Sequence, residues 1–219
     1  MKANALRSFL YFGLAAMISV ACSAATSLLS GEQTLLKDDF SSSDSGWGTG
    51  TTESDSIEYD NGGLVMKVFK DNYFTWSTPN QKIYEDVHMD TAANGASSDI
   101  NPAFGILCDK QSAGDSFYYF AVTPAGSYVI AKAAAGEPDV ILTNNGKWQS
   151  SDKIAKNASS YRIGADCKAG TLKLYVDGEE IASAADSSYT SGGVGLLLWT
   201  GDEANGEVTY DDVVLKQLK

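Results

Sequence analysis

The chain has 219 residues, with 28 acidic residues against 16 basic ones and a formal net charge of −12. Nucleic acid is therefore a poor partner, because phosphate binding needs clusters of basic side chains. This length fits one signal-bearing domain better than several domains.

The N-terminus predicts an export signal. Lys2 and Arg7 are positive, and residues 9–20 form an apolar stretch of 12 residues. A bilayer-spanning helix needs about 20 such residues, so the stretch is typical of a cleaved signal peptide. We assign residues 1–21 to this signal.

The residues that follow the signal resemble the lipobox of bacterial lipoproteins, in the sequence Ser19-Val20-Ala21-Cys22. The resemblance implies that Cys22 is acylated and that lipid alone anchors the protein in the cell envelope, outside the cytoplasm. The segment after Cys22 is small and polar without a periodic pattern, so we expect residues 22–33 to be a tether. Ser19 departs from the leucine usual at that position. Ordinary cleavage after Ala25 would instead give a secreted protein.

Two cysteines remain once Cys22 is acylated or removed. Cys108 and Cys167 are then an even pair in an oxidising compartment, which predicts a disulfide. A bridge that closes a loop of roughly 60 residues stabilises by about 4 kcal/mol on the chain-entropy model. Two buried free thiols are the alternative.

The remaining sequence alternates short apolar and polar positions, as in Leu172, Leu174 and Val176, and turn sequences such as Asn61-Gly62 and Asp177-Gly178 separate the runs. This pattern predicts about a dozen antiparallel strands. No 3.6-residue period of helical length follows the signal. We therefore expect one all-β domain over residues 34–219, built as a two-sheet antiparallel β-sandwich.

Several motifs, in their order along the chain, resemble concanavalin A-like (laminin-G-like) jelly-roll domains. They are DDF (38–40), SGW (45–47), FGILC (104–108), FYYF (117–120), LKLYVDG (172–178) and VTYDDVVL (208–215). The resemblance extends over nearly all of the exported chain. It implies that a strand near the N-terminus pairs with the last strand, and that the domain belongs to a superfamily with many glycan-binding members.

The same resemblance implies a structural calcium ion beside those two strands. The matching ligands are the carboxylates of Asp39 and Asp211 and the main-chain carbonyl of Gly62. Calcium prefers oxygen ligands of this kind. The alternative is that both aspartates are hydrated residues of turns or edges.

An enzyme of this fold would need paired carboxylates about 5 Å apart. Residues 53–58 have the ExDxxE spacing of laminarinase-type hydrolases, with Glu53 and Glu58 as its ends. They lie close to the first strand, and we expect a surface loop over residues 49–56. His88 is the single histidine, and its alternating surroundings favour a partly exposed strand position over a catalytic relay.

Aromatic side chains are the candidate ligand contacts, since their faces stack on the apolar surfaces of sugars. Trp76 and Trp148 lie beside loop signals, and Tyr118 and Tyr128 lie in strand-like runs. Trp47 is expected in the core. We therefore expect a non-catalytic extracytoplasmic recognition module with a glycan ligand. A structural or adhesive envelope protein that binds other proteins, and a glycoside-processing hydrolase, are the alternatives.

Overall fold

A computed structural model describes residues 33–219. The predicted signal peptide, the acylation site Cys22 and all but the last residue of the predicted tether lie outside the described residues. Within residues 33–219, no helix has the length and apolar character needed to cross a membrane.

The described chain is almost entirely β-structure, with a single 3₁₀ turn at Ser43–Ser45. Its strands are β1 (Thr34–Asp38), β2 (Gly50–Thr51), β3 (Asp55–Asp60), β4 (Gly63–Val68), β5 (Phe74–Ser77), β6 (Val87–Asn94), β7 (Ala103–Lys110), β8 (Phe117–Val122), β9 (Ser127–Ala134), β10 (Glu137–Ile141), β11 (Gln149–Ser150), β12 (Ser160–Lys168), β13 (Thr171–Val176), β14 (Glu179–Ala185), β15 (Gly193–Trp199) and β16 (Gly206–Gln217).

The strands form two antiparallel sheets. Sheet A has the order β14-β13-β12-β6-β16-β4-β3-β2, and sheet B has the order β10-β9-β8-β7-β15-β5 with β11 paired to β9. The long strand β16 pairs with β4 through its first half and with β1 through its second half. The predicted all-β sandwich is confirmed, as is the pairing of the first strand with the last.

The core lies between the two sheets, where alternate side chains of most of the longer strands point inward. Tyr210 of β16 crosses this core. Its buried hydroxyl accepts the N–H of Gly105 at 2.7 Å and donates to the carbonyl of Leu197 at 2.6 Å, so it bonds to two strands of sheet B. Burial raises the pKa of Tyr210, and the phenol therefore stays a hydrogen-bond donor.

The tight hairpins follow the predicted turn chemistry. Asp177 and Gly178, between β13 and β14, both have positive φ, at 51° and 83°. Asn61 and Gly62, between β3 and β4, do the same at 50° and 75°. Two successive residues at positive φ define the turn whose twist matches that of paired strands.

A disulfide joins Cys108 of β7 to Cys167 of β12, across a sequence separation of 59 residues. Because β7 belongs to sheet B and β12 to sheet A, the bond ties the two layers together through the core. This pairing agrees with the prediction made from the cysteine count.

The expected loop over residues 49–56 is wrong. The segment contains β2 and the start of β3, which form a hairpin at the edge of sheet A. Its polar composition concealed the strands, because an edge hairpin has few buried positions to impose an apolar alternation. Short polar edge strands of this kind also explain why the structure has more strands than the dozen expected.

One buried carboxyl group opposes folding at neutral pH. Asp109, near the end of β7, is 5% exposed. Burial, with a smaller contribution from the Asp86 carboxylate, raises the pKa of Asp109 from 3.8 to about 6. The folded protein therefore favours the protonated acid, and the free energy of unfolding decreases as the pH rises from about 4 to about 6.

We expect Asp109→Asn to raise the free energy of unfolding at pH 7.5 by up to about 3 kcal/mol, since each pKa unit is worth about 1.4 kcal/mol. At pH 3.5 the variant and the wild type should be equally stable, because both side chains are then uncharged. Denaturant unfolding at the two pH values measures this, with the exposed Asp152→Asn as control. An equal difference at both pH values would contradict the assignment.

Candidate functional site

The outer face of sheet B, turned away from the core, carries a cluster of aromatic side chains. Phe74 and Trp76 lie on β5, Phe117 and Tyr119 on β8, and Trp199 at the end of β15. On β5 and β8 the two aromatic residues are two positions apart, so strand alternation places them on the same face.

These rings pack closely together. The ring centroids of Phe74 and Phe117 are 5.9 Å apart, and those of Trp76 and Phe117 are 5.7 Å apart. Phe117 and Tyr119 are buried beneath their neighbours, at 2% and 4% exposure, whereas Phe74, Trp76 and Trp199 are half-buried. The half-buried rings are therefore the ones that can offer a face to a ligand.

Two depressions open on this face. The larger, which we call the groove, has a volume of about 450 Å³ and is bounded by Phe74, Trp76, Tyr119 and Trp199. The smaller, the side cavity, has a volume of about 240 Å³ and is bounded by Trp148 and Trp199. Trp199 lines both. The groove is within the size range of small-molecule sites.

Carboxylates form the polar rim of the groove. Asp115, Glu137 and Asp139 line it and are exposed. The hydroxyl of Tyr119 donates to Oδ2 of Asp139 at 2.9 Å, which fixes that carboxylate beside the aromatic floor. Burial raises the pKa of Tyr119, and the negative charge of Asp139 raises it further. The rim thus presents hydrogen-bond acceptors next to apolar ring faces.

Two of the four predicted ligand contacts lie on this face. Trp76 lines the groove and Trp148 lines the side cavity, and both are half-buried. The indole rings of Trp148 and Trp199 are 5.8 Å apart between centroids. Trp47 is in the core, as expected, and its Nε1–H donates to Oδ2 of Asp38 at 2.7 Å.

The other two predicted contacts, Tyr118 and Tyr128, do not lie on this face. They point into the core between the sheets, at 0% and 8% exposure. The Tyr118 hydroxyl donates to Asp186 and accepts the N–H of Tyr189 at 3.0 Å. The pKa of Tyr118 is raised to about 12, mainly by burial. The Tyr128 hydroxyl donates to Asn144 at 3.2 Å. Both are structural residues.

Sequence reasoning missed Phe74, Phe117, Tyr119 and Trp199 as members of the aromatic face. A signal was present for β8, where Phe117 and Tyr119 alternate with Tyr118 and Phe120. However, all six residues of that strand are buried, so composition does not distinguish the outer face from the core face.

The acidic stretch considered for catalysis lies elsewhere. Glu53 is in the turn before β3, and Glu58 is exposed on β3 at the edge of sheet A. Neither lines the groove. On the outer face of sheet B, the middle strands β7 and β8 present small, apolar or aromatic residues at Ala103, Leu107, Phe117, Tyr119 and Ala121.

A charged cluster occupies the outer face of sheet A. Nδ1 of His88 on β6 is hydrogen-bonded to the carboxylate of Asp166 on β12 at 2.6 Å, and the hydroxyl of Tyr175 on β13 donates to Asp166 at 2.8 Å. Burial alone would raise the pKa of Asp166, but the hydrogen bonds from His88 and Tyr175 hold it below its ordinary value. Arg162 pairs with Asp90 beside them. These contacts link three neighbouring strands, so they have a clear structural role.

The predicted calcium ligands are brought towards one another by strand register. Asp38 pairs with Val213 and Leu64 pairs with Tyr210, which places Asp39, Gly62 and Asp211 around the gap between β1 and β4, beside the middle of β16. The two carboxylates already accept main-chain N–H groups, from Ser41 at 3.1 Å and from Asp212 at 2.7 Å. Residues 33–219 contain no group of three or more histidine, cysteine or acidic side chains arranged to hold a metal ion.

No family model matches the sequence, and no curated protein matches it either. Solved structures do match. The carbohydrate-binding module CBM66 from Bacillus subtilis has a TM-score of 0.57 at 17% identity, covering 78% of this chain and 96% of that chain. The β-glucanase of Bacillus licheniformis has a TM-score of 0.57 at 13% identity, covering 87% and 100%.

A third structure is a Bacillus subtilis protein of unknown function with a galectin-like fold. Its TM-score is 0.56 at 14% identity, and the match covers 85% of this chain and 97% of that chain. Identities this low establish the fold and nothing finer. The described part of the chain therefore has a concanavalin A-like jelly-roll fold, as the sequence motifs indicated.

Proposed function

We propose that the domain is a non-catalytic carbohydrate-binding module that holds its ligand on the outer face of sheet B. The observation that carries this proposal is the groove of about 450 Å³, which combines half-buried ring faces with a rim of carboxylates. Aromatic rings supply apolar stacking surfaces, and carboxylate oxygens accept hydrogen bonds from hydroxyls. A sugar ring is complementary to this site, because it has apolar faces that stack on aromatic rings and hydroxyls that donate hydrogen bonds.

The fold neighbours include a carbohydrate-binding module and β-glucanases, which supports a carbohydrate ligand. Hydrolysis is the second candidate, and the carboxylates of Asp115, Glu137 and Asp139 on the groove rim are the observation that favours it. Asp139 accepts a hydrogen bond from Tyr119, and that pairing suits it to binding. On the middle strands β7 and β8, the outward residues are Ala103, Leu107, Phe117, Tyr119 and Ala121, and none of these five has a carboxylate.

A glycan array with the purified domain tests the proposal. We expect binding to at least one glycan class and loss of that signal in Trp76→Ala, whereas Phe69→Ala, an exposed aromatic outside the groove, should bind as the wild type does. Mass spectrometry of the bound glycan after prolonged incubation should show no shorter product. Chain cleavage would establish the hydrolase, and no binding to any glycan would overturn the glycan proposal.

We also propose that calcium stabilises the sandwich through Asp39, Asp211 and the carbonyl of Gly62, since two carboxylates and a carbonyl are the donor types this ion prefers. Calcium at about 100 times its dissociation constant adds about 2.7 kcal/mol of stability. The melting temperature should then exceed that in EDTA by roughly 5–10 °C. The double variant Asp39→Asn/Asp211→Asn should show no such difference, and an equal wild-type melting temperature in calcium and EDTA would contradict the proposal.

For localisation, we propose that the module is an extracytoplasmic lipoprotein held in the cell envelope by acylated Cys22. The lipobox-like sequence Ser19-Val20-Ala21-Cys22 supports this proposal. Mass spectrometry of membrane-extracted protein should find a lipid-modified N-terminal peptide that begins at Cys22. An unmodified N-terminus at Thr26 would contradict the anchor.

A further inference from the structure

The groove and the side cavity are neighbours on one face and share a wall. Trp199 lines both, and Trp148, which also lines the side cavity, packs against it with ring centroids 5.8 Å apart and planes inclined by 40°. Both indoles are half-buried, so each retains exposed ring surface. Aromatic stacking surfaces are therefore available in two adjacent depressions.

The two depressions differ in charge. The groove is lined by the three rim carboxylates Asp115, Glu137 and Asp139, and its described lining residues include no lysine, arginine or histidine. The side cavity is lined by neutral polar side chains, those of Asn101, Thr123 and Ser127. A ligand that spans both would meet negative charge at one end and uncharged hydrogen-bonding groups at the other.

Lys110 is the cation that reaches towards this face. Its Nζ lies 5.9 Å from the ring centroid of Trp76 and donates to the main-chain carbonyls of Gln111 and Gly114, each at 3.4 Å. One ammonium held in this way does not balance three carboxylates. The groove therefore has a negative field, in a domain that is itself acidic.

We propose that the ligand is an uncharged oligosaccharide that occupies the groove and the side cavity at once, with Trp199 between its sugar units. This inference rests on the proposed function and narrows it. Glycans rich in uronic acid, sulfate or sialic acid bring negative charge against the carboxylate rim, and like charges repel. Neutral hydroxyls donate to the same carboxylates instead.

Isothermal titration with oligosaccharides of two to six units tests this proposal. The neutral probes are gluco-, xylo- and manno-oligosaccharides, and the acidic probes are oligogalacturonides of the same lengths. We expect affinity for one neutral series to rise about tenfold from the disaccharide to a plateau, as the second cavity fills. Oligogalacturonides should bind at least about tenfold more weakly at every length.

The variant Trp148→Ala distinguishes binding in the groove from binding in the side cavity. We expect this variant to lose the gain in affinity with oligosaccharide length, whereas Phe69→Ala, outside both depressions, keeps that gain. Wild-type affinity that does not depend on length, or oligogalacturonides that bind as tightly as the neutral series, would overturn this inference and leave glycan binding intact. Failure of every probe, neutral and acidic, together with a silent glycan array, would instead overturn the proposed function.

Discussion

Trp199→Ala is expected to weaken glycan binding by about 30-fold or more, the effect of removing an aromatic anchor worth about 2 kcal/mol. The size of the effect follows from the position of Trp199, because it forms a wall of both the groove and the side cavity. Of these two depressions, Trp76 lines only the groove and Trp148 only the side cavity. Titration of wild type and variant with the strongest ligand from the array measures the change.

The control for this prediction is the conservative variant Trp199→Phe, which keeps a smaller ring and should retain part of the affinity. Circular dichroism and thermal unfolding should show that both variants are folded, since Trp199 lies on the outer face of sheet B and not between the sheets. A folded Trp199→Ala protein with wild-type affinity would place the ligand elsewhere.

Removal of the disulfide should have the largest effect on stability. We expect Cys108→Ala/Cys167→Ala to lower the free energy of unfolding by about 4 kcal/mol, because the bond closes a loop with a sequence separation of 59 residues in the unfolded chain. The two cysteines are 1% and 3% exposed. Alanine is the suitable substitute because it leaves only a small apolar space, whereas serine would bury a hydroxyl. Denaturant unfolding measures the difference.

Reduced wild-type protein is the matched control, and its stability should agree with that of the double alanine variant to within about 1 kcal/mol, once the lost sulfur packing is allowed for. Thiol titration of the denatured, unreduced domain (residues 34–219) should find no free cysteine. Two reactive thiols per domain, with unchanged stability in the double variant, would contradict the disulfide.

The features that sequence predicts well here are those set by local chemistry. Asp177-Gly178 predicts a hairpin because aspartate and glycine tolerate the positive φ that both residues adopt. The alternation of Leu172, Leu174 and Val176 predicts their burial because sheet A has one apolar face and one solvated face at this strand. The cysteine pair follows from simple counting.

The aromatic outer face of sheet B was harder to predict because sheet B is apolar on both of its faces. Tyr118 and Tyr119 are adjacent, equally aromatic and both buried, yet one belongs to the core and the other to the groove floor. A one-residue change in the assumed orientation of a strand exchanges its two faces. No sequence pattern pointed to Asp139 either, because its position beside the groove depends on a hydrogen bond from Tyr119, which lies 20 residues earlier.

The indole N–H resonances of the four tryptophans give the most direct test of the central claim that glycan binds on the outer face of sheet B. In a ¹⁵N-labelled sample titrated with the strongest array ligand, the signals of Trp76, Trp148 and Trp199 should shift together and saturate. Trp47 is 3% exposed in the core, with its Nε1–H bound to Asp38, so its signal should stay in place. Saturable binding that leaves all three face tryptophans unshifted would contradict the account.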